Sequence, residues 1–270
     1  MGLPTSKKWL VDGFCRYTAR MIRRQFTCFA VESMFPISTL VPDDHALVVY
    51  ANHIGWWDPI VAMQLNRTYF SNRIFYAPID AKALEAYGVF RQLGFYGIAL
   101  ERMRGAAEFL KSSREILSRR ESALWITPEG RFTDCRDHSQ PLMPGLAHLA
   151  STSQRVTFIP LAIEYPFWEE SKPMIATRFG APLCFGEGES KKECEQVLFR
   201  SMRETQADLA RSVISRDFDS SAVYLVPPKS ERQTLYDTMR AWKSWIQGRP
   251  FDPTHRSLRS KRDDENRPQS

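Results

Sequence analysis

Six short apolar runs, set apart by stretches of helical periodicity, constrain what this chain can fold into. Ala46–Ala51, Arg73–Ala77, Ile98–Leu100, Ala123–Thr127, Val156–Glu164 and Met174–Phe179 are rich in β-branched and aromatic residues and too short to be helices. Between them the apolar positions recur at helical spacing. Ala106, Phe109, Leu110, Ile116 and Leu117 mark a stripe within 104–120. Leu198, Met202, Thr205, Leu209 and Val213 mark another within 190–216. Strands alternating with helices predict an α/β fold, a mixed central β-sheet flanked by helices.

The ends of the chain differ from its middle. Residues 8–31 read as one amphipathic helix. Leu10, Val11, Phe14, Cys15, Tyr17, Met21, Ile22, Phe26, Cys28 and Phe29 fall on one half of its wheel, and Asp12, Arg16, Arg20, Arg23 and Arg24 on the other. Most of the formal net charge of +6 sits here, in Lys7, Lys8 and those four arginines. So local a cationic segment suits an anionic membrane surface or a phosphorylated substrate, and fits a diffuse nucleic-acid-binding surface poorly. Two readings stay open: an interfacial helix lying on a membrane, or a helix packed on its own domain with a solvated charged side. Past residue 217 the character changes again. Pro227-Pro228 marks a break, 231–247 is a possible helix carrying Trp242 and Trp245, and the polar end from Pro250 is expected to be disordered. The expected organisation is a membrane-associating helical segment over 1–35, a central domain over 36–217, and a helical extension with a tail over 218–270.

Other classes are excluded by what the chain lacks. Its five cysteines show no C-x-x-C pair and no cluster with His, which argues against a disulfide framework and against a zinc site. No apolar run approaches the ~20 residues that span a bilayer, and the N-terminus has no uninterrupted signal-peptide core. Any membrane association is therefore expected to be peripheral, on the cytoplasmic face.

The strongest local signal is Asn52-His53-Ile54-Gly55-Trp56-Trp57-Asp58-Pro59, directly after the 46–51 strand. Asp58-Pro59 reads as a helix start. Five residues apart within one helix would put His53 and Asp58 on different faces, roughly 140° apart. They can meet only if His53 lies in the loop and Asp58 at the helix mouth. The carboxylate then fixes the imidazole tautomer, and the second ring nitrogen is left to take a proton from a substrate hydroxyl.

Asn-His-x-x-x-x-Asp after a strand resembles the catalytic block of the PlsC-like family, the lysophosphatidate and glycerol-phosphate acyltransferases. Three further blocks follow in the family's order. Gly97-Ile98-Ala99-Leu100-Glu101-Arg102 is similar to the second, with Tyr96 at the family's usual Gly position. Thr127-Pro128-Glu129-Gly130-Arg131-Phe132-Thr133 is similar to the third; its Arg131 stands one place early, and Phe132 occupies the family's Arg position. Phe158-Ile159-Pro160-Leu161-Ala162 resembles the fourth, and Pro144-Gly145 the step between the third and fourth. The resemblance implies that His53 is the general base and Asp58 its orienter. It implies that Arg102 contacts an acceptor phosphate, and that Pro160 lies beside the acyl-donor site. In the third block Glu129 binds acceptor hydroxyls or braces the site, Gly130 permits a tight bend, and Arg131 meets a phosphate.

The expected activity is transfer of a fatty acyl group from acyl-CoA or acyl carrier protein to a lysophospholipid hydroxyl, with no cofactor beyond that thioester substrate and no metal. Trp56 and Trp57 are expected in an acyl tunnel, at a membrane interface or in the core. The shifted Arg131 keeps an acceptor without phosphate open as an alternative, and a non-catalytic lipid-binding protein is a second. The absence of a G-x-S-x-G elbow speaks against a thioesterase-like hydrolase.

Overall fold

Phe29–Ser33 (β1), Ala46–Ala51 (β2), Ile74–Asp80 (β3), Phe95–Ile98 (β4), Ser122–Ile126 (β5), Val156–Glu164 (β6), Ile175–Phe179 (β7) and Val223–Val226 (β8) join in one mixed sheet, in the order β4-β3-β5-β2-β6-β7-β1-β8. The computed structural model describes residues 4, 6–99, 103–218 and 222–228. These lie in one compact unit, Met1–Pro228. Strands β4, β3, β5, β2 and β6 run parallel, β7 is antiparallel to β6, and β8 is antiparallel to β1. β2 is buried along its whole length, which is why it reads as an unbroken apolar run: helices cover both of its faces.

The helices are Lys8–Gln25 (α1), Asp58–Tyr69 (α2), Ala81–Ala86 (α3), Val89–Gln92 (α4), Met103–Leu117 (α5), Pro144–Thr152 (α6) and Lys191–Ser215 (α7). Leu47, Val49 and Ala51 of β2 point into a core shared with α1 and α2. Val48 and Tyr50 point into a second core with α5, α6 and the first part of α7. The expected α/β layering is therefore observed. β2 and β6 begin and end where the apolar pattern places them, and α7 starts on a capping box between Ser190 and Glu193.

Two departures from the sequence reading share one cause. The N-terminal helix stops at Gln25 instead of running to residue 31, and Phe29–Ser33 is a strand between β7 and β8. Phe26, Thr27, Cys28, Phe29 and Val31 suit a pleated strand better than a helix. Their apolar residues fit the helical wheel only because a dense apolar run satisfies either period. Likewise Val223–Val226, assigned from sequence to the C-terminal extension, is β8 on the edge of the same sheet. The expected helix over 231–247 and the tail lie outside the described residues.

The structure shows what the apolar side of α1 packs on. Its Cys15 and Ile22 are buried, and Leu10, Val11 and Phe14 pack on the first core. Gln64 of α2 donates its amide to Cys15 O at 2.7 Å and Thr18 Oγ1 at 2.8 Å. The apolar stripe of α1 is thus used against its own domain. Arg16, Arg20 and Arg24 remain exposed. No described helix is long and apolar enough to cross a membrane.

Candidate active site

Neighbouring strands β2 and β5 send their chains to opposite sides of the sheet: α2 packs on the first core and α6 on the second. The carboxyl ends of strands that diverge in this way are where α/β sheets commonly hold ligands. His53 follows β2 at this edge, and Glu129 follows β5.

His53 lies in the loop and Asp58 is the first residue of α2, the arrangement that the five-residue spacing requires. His53 Nδ1 sits 2.7 Å from Asp58 Oδ2. That oxygen also accepts the Ile54 and Gly55 N–H groups at 2.9 and 3.0 Å, and Oδ1 accepts the Tyr165 hydroxyl at 2.7 Å. Two backbone N–H groups can only donate, so this carboxyl oxygen is placed as an acceptor. The proton of the neutral imidazole then sits on Nδ1. Nε2 carries the lone pair and bonds no described residue. Asp58 is only 2% exposed while His53 is 20% exposed, so the orienting charge is sheltered and the ring is reachable. Burial and the Asp58 charge hold the Tyr165 phenol well above its ordinary range, which keeps it a donor.

The loop after β5 holds His53 from the other side. Glu129 Oε2 accepts the His53 N–H at 3.0 Å and also the Thr133 hydroxyl. Its Oε1 pairs with Arg203 of α7 at 3.3 Å. The Thr133 N–H returns a bond to His53 O at 2.8 Å. Both carboxylate oxygens are therefore engaged within the protein, which favours bracing over direct contact with an acceptor. Gly130 adopts φ +69°, and a Cβ there would lie 2.6 Å from Met143 Sδ. Asn52 closes the frame: its amide donates to Ile163 O at 3.0 Å and accepts the Ile163 N–H at 2.8 Å, tying the end of β2 to β6.

Not every residue singled out from sequence joins this cluster. Arg131 is exposed and donates to the Gln140 side chain. Phe132, in contrast, brings its ring to 4.3 Å from the imidazole. Pro160 lies within inner strand β6, opposite Tyr50, where Gly180 leaves room for its ring beside Thr205. That is neither an edge nor a bulge. Arg102 lies outside the described residues. Trp57 packs edge-on against Phe26 at 5.0 Å, while its neighbour Trp56 is 60% exposed.

Sequence reasoning missed Tyr165 and Arg203. Tyr165 carries a weak signal, since it is the first residue beyond a strand parallel to β2. Arg203 carries none, because a helix arginine reads as a solvated charge until the fold turns it inward. Thiol chemistry has no support near His53 among the described residues. Burial, with Glu164 and Asp134 nearby, pushes the Cys135 thiol up to about 11, so it is not a thiolate at neutral pH.

The acyltransferase family model matches residues 35–164, the span holding the four sequence blocks. Among solved structures the chain is similar to the 1-acyl-sn-glycerophosphate (LPA) acyltransferase PlsC from Thermotoga maritima. The identity is 18% and the TM-score 0.47, with 74% of this chain and 81% of that chain covered. No curated protein matches the chain in sequence.

Proposed function

From the match of the acyltransferase family model over residues 35–164, we propose that the chain is a PlsC-like acyltransferase that acylates a lipid alcohol with His53 as general base and Asp58 as its orienter. The donor is a thioester, acyl-CoA or acyl carrier protein, and the acceptor a lysophospholipid such as lysophosphatidate. The observation that carries this reading is the 2.7 Å contact between His53 Nδ1 and a buried carboxylate that accepts three other donors.

Nε2 takes the acceptor's hydroxyl proton as its oxygen attacks the thioester carbonyl. The tetrahedral intermediate collapses, the C–S bond breaks, and the departing sulfur receives the proton from the imidazolium. Asp58 stabilises the cation that exists between the two transfers. No covalent acyl-enzyme is required, because a thioester is already activated. Glu129, braced by Arg203, holds the His53 backbone, so the ring is oriented from both ends. The deciding experiment incubates the purified chain with labelled acyl-CoA and lysophosphatidate. Ester formation that His53→Ala abolishes supports the proposal, and transfer retained in that variant sinks it.

One observation favours a second acceptor class. The aromatic ring of Phe132, and not a cation, lies against the imidazole, while Arg131 is turned to Gln140. An apolar neighbour suits an uncharged lipid alcohol or a glycolipid better than a phosphate. Faster transfer to a neutral acceptor than to lysophosphatidate in the same assay would select this alternative.

A further inference from the structure

Helix α7 lies outside the four sequence blocks, yet one face of it borders a cavity of about 710 Å³, the size of a small-ligand pocket. Gln196, Phe199, Arg200, Arg203 and Glu204 recur three and four residues apart on that face, and they line the cavity together with His138 of the loop after β5. Arg203 ties the cavity to the candidate site. Its Nη1 lies 3.3 Å from Glu129 Oε1, and Glu129 Oε2 accepts the His53 N–H. The cavity is thus one glutamate side chain away from the backbone of the proposed base.

The donors of this cavity outnumber the acceptors that the protein gives them. Arg200 is exposed and, among the described residues, has no hydrogen bond or ion pair. Arg203 donates from Nη1 to Glu129 and Gln206 and from Nη2 to Gln140 O, but its buried Nε has no acceptor among the described residues. A buried N–H without an acceptor is costly, and two guanidinium groups one helical turn apart suit the oxygens of a phosphate. A bare phosphate would leave most of the cavity empty and would meet the Glu204 carboxylate. A ligand that also brings hydroxyl donors makes that carboxylate a partner. The Arg203 guanidinium lies over the Phe199 ring, 4.9 Å from its centroid, so the same face offers a flat aromatic and cationic surface to a base. Phosphate, hydroxyls and a flat ring together describe a nucleoside phosphate.

We propose that the α7 cavity binds a nucleoside phosphate, with Arg200 and Arg203 Nε on the phosphate, Glu204 on the ribose hydroxyls and the base on the Phe199–Arg203 pair. Two sources share this chemistry: the nucleotide end of a CoA thioester, and a free nucleotide. Assignment to the thioester's own nucleotide rests on the proposed function; the site itself does not. In that assignment the pantetheine arm runs from α7 past Glu129 toward His53. The cavity then distinguishes CoA from acyl carrier protein, which carries no nucleotide.

The test is calorimetric titration of the full chain with ADP, and separately with inorganic phosphate and with adenosine. ADP is expected to bind more tightly than either part. Arg200→Gln is expected to weaken ADP binding about tenfold or more, the loss of one charge-assisted contact, at an unchanged thermal midpoint, because Arg200 holds nothing in the fold. Arg131→Gln removes an exposed cation from the loop that carries His138 and should bind ADP like the wild type. A wild type that binds no ADP overturns the proposal, as do equal affinities in the wild type and Arg200→Gln. Equal losses in the two variants overturn it too, since binding then follows net charge, and so does phosphate or adenosine bound as tightly as ADP. Kinetics distinguish the sources. ADP competing with acyl-CoA, together with a KM that Arg200→Gln raises for acyl-CoA but not for acyl carrier protein, assigns the cavity to the donor. Noncompetitive inhibition assigns it to a free nucleotide. Arg200-dependent ADP binding by a chain that transfers no acyl group leaves the site standing and removes the proposed function.

Discussion

The Tyr165 hydroxyl donates to Asp58 Oδ1 at 2.7 Å, on the oxygen that the His53 ring does not use. The orienting carboxylate is thus fixed by a phenol just beyond β6, two backbone amides of the loop before α2 and the imidazole. Its rotation would break several charge-assisted bonds together.

Replacing the two members of the His–Asp pair should have unequal structural effects. His53→Ala removes the base and should lower transfer by about 10²–10⁴-fold, with little change in the thermal midpoint, because Asp58 keeps three donors. Asp58→Asn should lower transfer and also destabilise the fold by about 1–3 kcal/mol, since buried donors lose an anionic acceptor. Turnover and denaturant unfolding of both variants separate these outcomes; equal stability losses would contradict the description of Asp58 as a hub.

Tyr165→Phe keeps the ring that packs on Phe26 and deletes one bond to a buried carboxylate. The expected loss is about 1.5–3 kcal/mol of stability, with reduced turnover and an acceptor KM close to wild type. A raised KM at unchanged kcat would instead place the phenol on the substrate.

Arg203 and Glu129 are 11% and 1% exposed. Arg203→Met should strand the Glu129 charge and cost about 3–5 kcal/mol, read from chemical unfolding. Pairing it with Glu129→Gln should recover much of that loss, because the stranded charge is gone. Additive losses in the double variant would argue against the coupling.

Glu164, at the end of β6, is pushed up to about 7 by burial and then by the Asp134 charge. The folded chain therefore holds this proton more tightly than the unfolded chain does. The stabilisation it brings is complete below the ordinary glutamate range and is lost as pH rises through about 7. Thermal midpoints taken across that window should fall for the wild type and fall less for Glu164→Gln.

The site was legible where chemistry and local geometry coincide. His53 and Asp58 sit in a contiguous block after an apolar run, where the spacing showed how they could meet and the resemblance of the ordered blocks singled them out. Glu129 and Gly130 were singled out by the resemblance of the third block, which also lies directly after a strand. Tyr165 and Arg203 reach the site from just beyond β6 and from α7 through contacts that no local window contains. The error at residues 26–31 has a related origin: β1 is specified by β7 and β8, which are over a hundred residues away in sequence, and its own apolar run suits two periods. Pro160 was placed beside the acyl-donor site by family resemblance; in the structure it pairs with Tyr50 within β6.

The Asn52 side chain occupies both hydrogen-bonding groups of Ile163, at 3.0 and 2.8 Å. It acts as an extra rung, made of a side chain, beyond the last backbone rung between β2 and β6. Strand ends ordinarily breathe, and here breathing would carry the imidazole with it. The Ile163 amide should accordingly exchange with deuterium as slowly as amides in mid-sheet, and Asn52→Ala should release it. The chain has bought stillness at one point, where a displacement of an ångström would spoil a proton transfer.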